Sequence, residues 1–163
     1  MVGWGFRSAY GMAFSPIGNN TKLLVTANGA DERGSRPIAN DTEKVYSIDI
    51  SNSSQLGKFY GCPDFFGNAQ PVTDPIFQSQ RGGGKLLEFL MQNHPPVEKP
   101  SVELGVGSAL AQVDFSRSPS SNNANKFGLE GMAFIAEFGI MVPISHLPVS
   151  LKNREKKSLD KKW

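Results

Sequence analysis

The sequence predicts an all-β fold. Three observations carry that prediction: short apolar runs of strand length, Gly, Pro and Asn clusters that punctuate them, and little helical periodicity. The chain is organised around Trp4 to Phe14 and its partner Lys22 to Asp41. These read as a strand, a turn at Pro16 to Asn20, and a second strand ending in a polar loop at Asn28 and Gly29. The turn residues supply unusual backbone angles, and the Leu, Val and Phe side chains supply a face to bury. Asp31, Glu32 and Arg33 place three charges together in the loop. A rigid hairpin that ends in such a loop is a common way to present charged groups to a ligand.

The remaining elements follow in order. Glu43 to Ser51 alternates Val45, Ile48 and Ile50 with polar neighbours and predicts a third, half-exposed strand. Ser51 to Gly57 is a turn cluster. Phe59 to Pro75 is aromatic and rich in Gly and Pro; Pro63, Pro71 and Pro75 forbid a regular helix, so an ordered loop with aromatic anchors is expected. Lys85 to Gln92 fits a short helix or an extended segment. Val97 to Gly105 reads as extended, Ala109 to Ser116 as a strand, and Ser116 to Gly128 as a low-complexity surface loop. Gly131 to Val142 reads as one buried strand interrupted at Gly139.

Two pieces resemble each other. Tyr10 to Ser15, a variable loop and Leu23 to Gly29 parallel Ala111 to Ser116, a variable loop and Met132 to Gly139. A recurring strand pair is what stacked, repeated sheets leave in a sequence, and it refines the expectation to a fragment of a β-propeller, roughly three blades of antiparallel sheet with long loops. Residues 1–146 are expected to form this partial propeller, and residues 147–163 a basic disordered tail. The start at Met1, almost inside a strand, reads as that of a fragment. Open blade edges and apolar blade faces predict self-association.

Composition narrows the functions. The net charge is +2, and much of the positive side lies in Lys152 to Trp163, so the body is near neutral. Nucleic acid is not expected as a partner, because phosphate binding needs basic residues spread over a folded face. Cys62 is the single cysteine, so no intrachain disulfide forms, and it reads as a small packed residue. No apolar run has the length of a membrane span, and the amino terminus lacks the pattern of a secretory signal. His94, before two prolines, and His146, beside the tail, read as surface residues.

Trp4 to Pro16, Leu23 to Asp41 and Tyr60 to Pro75, in that order, resemble the glucose and sorbosone dehydrogenases, six-bladed β-propeller quinoproteins. Gly5 to Phe14 is similar to that family's Gly-x-Arg-Asn stretch closing on Gly-x-Ala-Phe, and Tyr60 to Pro63 to its Tyr-Gly-Trp-Pro. The resemblance implies oxidation of a sugar or polyol by hydride transfer to pyrroloquinoline quinone with Ca2+ in a longer, periplasmic or secreted parent. It implies that Arg7 and Tyr10 face the cofactor, and that the Gly29 and Ala30 carbonyls bind the calcium. Arg33 and Arg36 join the cofactor-binding candidates as cations of the same loop.

Departures from the pattern open an alternative. Ser8 stands where the family has Asn, Tyr10 where it has Gln, and Cys62 where it has Trp; no histidine lies in a motif like the catalytic base. By itself the chain is expected to be inactive. The alternative is a non-catalytic propeller module that binds carbohydrate or protein, and a degenerate gene product is a third class.

Overall fold

In the computed structural model, which describes residues 1–16, 21–116, 129, 131–138 and the backbone of 140–144, the central strand is apolar on both sides. This strand, β3 (Lys22–Ala27), sits between β2 (Ala9–Phe14) and β4 (Thr42–Asp49), and β8 (Val102–Val106) closes the order β2-β3-β4-β8. All three pairings are antiparallel. Side chains alternate across a strand, so Leu24 and Val45 face one way while Leu23, Val25, Ala27, Tyr46 and Ile48 face the other.

The first face packs on a second sheet of order β11-β10-β9, built from β9 (Leu110–Phe115), β10 (Ala133–Glu137) and β11 (Ile140–Ile144). Leu110, Val113, Phe115, Ala133 and Ile135 complete that core. The two sheets come closest where β2 crosses β9. A Cβ on Gly11 would stand 2.7 Å from the Ala111 carbonyl and 2.8 Å from the Val113 nitrogen. Buried Thr26 bridges the seam: its Oγ1 accepts from the Gly11 N–H at 2.8 Å, and its own proton has the Ala111 oxygen at 3.2 Å.

The second face is closed by Phe6 and Tyr60, which follow the chain's first and fifth strands. β1 (Gly3–Trp4) pairs in parallel with β5 (Lys58–Phe59), with Gly3 opposite Lys58 and Trp4 opposite Phe59. Phe6 stacks on Tyr60 at 4.2 Å, and Tyr46 meets both rings edge-on at 5.4 and 4.9 Å. A two-stranded ribbon, β6 (Phe65–Phe66) and β7 (Gln70–Pro71), supports a third core of Ile38, Phe66, Val72 and Phe77.

The fold is therefore all-β, with helix among the described residues confined to 3-10 turns, and two blade-sized sheets packed face to face are compatible with a propeller fragment. The paralleled segments are the antiparallel pairs β2-β3 and β9-β10. Four local expectations change. The 43–51 strand is buried rather than half-exposed, because β8 covers its outer edge and Glu43 and Lys44 turn inward. The interrupted strand at 131–142 is a hairpin in which Glu137 pairs with Ile140, so its apolar halves lie side by side. Residues 85–92 form neither helix nor strand, and side-chain anchors hold them instead of backbone pairing. His94 is half-buried rather than a surface residue, edge-on to Phe65 at 4.8 Å and tilted against Phe89 at 4.7 Å. The turn at 17–20, the loop at 117–128, His146 and the 147–163 tail lie outside the described residues.

Candidate functional site

Arg7 lies in the connection between β1 and β2, and its neighbours fix its direction. The segment before it runs along 58–62: Tyr60 N donates to the Trp4 carbonyl, and Cys62 N to the Gly5 carbonyl, both at 2.8 Å. Phe6 is drawn into the aromatic core, while the next side chain, Arg7, reaches the loop after β3. Arg7 Nη1 donates to the Gly29 carbonyl, and Nη2 stands 3.5 Å from Asp31 Oδ2. Arg33 Nη2 is also 3.5 Å from that same oxygen. Side-chain exposure rises from 31% at Arg7 through 53% at Asp31 to 77% at Arg33, so the cluster opens to solvent on the Arg33 side.

The loop that carries this cluster is stapled from beneath by buried carboxylates. Gly29 N donates to Glu43 Oε2 at 3.0 Å, and Ala30 N to Asp41 Oδ2 at 2.5 Å. The other oxygen of Asp41 accepts from Lys44 Nζ at 2.5 Å and from Gly67 N at 2.8 Å. Position 29 must be glycine, since a Cβ there would stand 2.6 Å from the Asp41 carbonyl and 2.9 Å from that of Thr42. Buried polar groups are tolerated when fully paired, and here the pairing fixes the bend at 29–30 against the start of β4.

Arg36 takes a separate role. Its guanidinium donates to the Pro63 carbonyl, to Asp64 Oδ1 at 3.1 Å and to the Glu88 carbonyl at 2.7 Å. Asp64 is fully buried and also accepts from Leu90 N at 2.8 Å and Met91 N at 2.7 Å. Arg36 thus ties the 85–92 segment to the turn before β6. Cys62, half-buried rather than fully packed, stands in the fields of both Arg7 and Arg36. Burial pushes its thiol up, the two guanidiniums oppose that, and Asp41 and Asp64 reinforce it.

Of the residues expected at a cofactor site, Arg7, Gly29, Ala30 and Arg33 come together about Asp31. Arg36 lies with Asp64 instead. Tyr10 is the extra residue of a bulge in β2, because Ala9 pairs with Ala27 and Gly11 with Thr26; it stands exposed on that strand. Sequence reasoning passed over Asp41, Glu43 and Asp64. The first two carried a faint signal as acids at the head of an apolar strand, and Asp64 carried none.

A carboxylate-bearing cofactor and a calcium ion fare differently here. Arg7 and Arg33 converge on one anionic point and fit a ligand carboxylate. A calcium ion on the Gly29 carbonyl does not fit, because Arg7 already donates a guanidinium proton to that oxygen and a divalent cation beside it would be repelled. The nearby carboxylates of Asp41 and Glu43 are turned to backbone N–H groups and Lys44. Among the described residues no group of three His, Cys, Asp or Glu side chains is gathered for a metal.

Fold and site together define an all-β protein, its two larger sheets packed face to face, with a solvent-open cluster of two arginines about one aspartate on a stapled loop. Compared with protein-family models, curated proteins and solved structures, the chain matches none.

Proposed function

We propose that this chain supplies part of the cofactor-gripping surface of a propeller-type quinoprotein that oxidises a sugar or polyol. The single observation that supports it is the convergence of Arg7 and Arg33 on one carboxylate oxygen, with Arg7 held in place by the Gly29 carbonyl. Pyrroloquinoline quinone, when bound, supplies the hydride acceptor. Arg7 and Arg33 bind and orient an anionic edge of the cofactor, and Glu43 and Asp41 keep the 29–30 bend from shifting as charge arrives. The proton acceptor is assigned by resemblance to an earlier blade of a longer parent. Calcium enters this reading through the resemblance alone.

A second reading is a non-catalytic module that binds carbohydrate or protein. His94 favours it, because the imidazole is wedged between Phe65 and Phe89 instead of standing with the arginines. Both readings include self-association through β2. Tyr10, Met12 and Phe14 are 68%, 60% and 49% exposed on this strand, at the edge of its sheet.

The test is equilibrium binding of pyrroloquinoline quinone to the chain and to Arg7→Met. Saturable binding that weakens about tenfold in Arg7→Met supports the cofactor reading. Retention on immobilised carbohydrate with no saturable quinone binding supports the second.

A further inference from the structure

We infer that Asp31 is a built-in stand-in for the ligand, a carboxylate that holds the Arg7 and Arg33 guanidiniums together in the free protein and swings aside when an anionic ligand enters. The inference rests on the carboxylate-binding reading of this cluster and adds a regulatory residue to it.

Three features of the geometry support it. Asp31 is loosely held: one oxygen, Oδ2, serves both arginines at 3.5 Å, well beyond the roughly 2.7–2.9 Å of a charge-assisted hydrogen bond. Half-exposed pairs of this kind contribute little, so a ligand that offers a planar, bidentate carboxylate can displace it. The main chain need not move. The Asp31 carbonyl accepts from Ile38 N at 3.1 Å and the residue before it is pinned through Ala30 N, so rotation about the side chain suffices.

The third feature is that the receiving arginine does not depend on Asp31. Arg7 is anchored through Nη1 to Gly29, which leaves Nη2 presented whether or not Asp31 is there. Arg33, at 77% exposure, is free to follow an incoming anion. An aspartate in that position lowers affinity for all anions and most penalises those that bring a single oxygen. It thereby favours ligands with a flat carboxylate.

The experiment measures pyrroloquinoline quinone binding by fluorescence titration for the unaltered chain, Asp31→Asn, Asp31→Ser, Arg7→Met and Asp31→Asn combined with Arg7→Met. Thermal unfolding is recorded for each. Both Asp31 variants are expected to bind about three- to tenfold more tightly, with the gain abolished in the Arg7→Met background. Equal binding by the unaltered chain and the Asp31 variants, with Arg7→Met weakened, overturns the role of Asp31 and leaves the site standing. Weaker binding by both Asp31 variants overturns it in favour of a residue that positions Arg7. Absence of saturable binding in every variant removes the inference and the cofactor reading together.

Discussion

Arg7 donates to the main-chain carbonyl of Gly29, 22 residues further along, and that bond joins the connection after β1 to the charged loop after β3. It is a part-buried, charge-assisted contact, and Asn28 N adds a 3.3 Å bond to the Ser8 carbonyl beside it. Replacing Arg7 by Met is expected to lower stability by roughly 1–2 kcal/mol, since the Gly29 oxygen loses its donor while water regains partial access. A urea midpoint indistinguishable from that of the unaltered chain would show that the bond contributes nothing to the fold.

Asp64 is the more costly residue to disturb. Its buried carboxylate satisfies Arg36 and the N–H groups of Leu90 and Met91, so Asp64→Ala strands three donors at once. A loss of roughly 3 kcal/mol or more is expected, with earlier proteolytic cleavage within 85–92. Limited proteolysis that leaves this segment as resistant as before would contradict the anchoring role.

Gly11 tests the seam between the sheets. Its added Cβ would press on backbone atoms of β9 that cannot turn aside, so Gly11→Ala is expected to cost roughly 1–3 kcal/mol. Gly105 in β8 serves as the control, because a Cβ there meets nothing within 4 Å. Gly105→Ala is expected to be neutral or slightly stabilising, and equal losses at both positions would argue against a tight β2-β9 crossing.

The buried tyrosines predict a weakening in alkali. Tyr60 is pushed up to about 12, first by burial and then by Glu98, and burial drives Tyr46 further above the ordinary value of 10.0, with Asp41 adding to it. The unfolded chain releases these protons from about pH 10, whereas the folded chain keeps them. The folded state then binds more protons, so stability is intact below about pH 10 and falls as pH rises toward about 12. Urea midpoints across this range should decline, and Tyr46→Phe should flatten the decline. A level profile would mean that the phenols ionise without unfolding.

Edge strand β2 predicts the association behaviour. Met12 pairs with Val25 and Phe14 with Leu23, so the two exposed side chains extend a face that is buried one strand further in. Met12→Lys is expected to shift the chain toward monomer in sedimentation velocity while leaving its thermal unfolding nearly unchanged, because the side chain is already exposed. A sedimentation profile that ignores the substitution would place the contact elsewhere.

Much of the strand pattern was legible in the sequence because it depends on local chemistry. Period-two alternation and the Gly, Pro and Asn clusters marked β2, β3 and β9, and the paralleled segments became matching antiparallel pairs. The hairpin at 131–142 was misread as one strand because both of its arms are apolar and Gly139 reads as an interruption of a single run. Residues 85–92 escaped local reading altogether, since their fixed points are Arg36 and Asp64, distant along the chain.

By itself the sequence determined the all-β class and the position of the charged loop, while the family resemblance offered Arg7, Gly29 and Ala30 among its candidates. Only the tertiary structure decided that Arg36 belongs to Asp64, that Asp41 and Glu43 staple the loop, and that Asp31 stands between two arginines. The physical reason is range. Strand and turn preferences are set by neighbouring residues, whereas the partner of a charge is chosen by which segments the packed sheets bring within a few ångströms, and no local pattern encodes that choice.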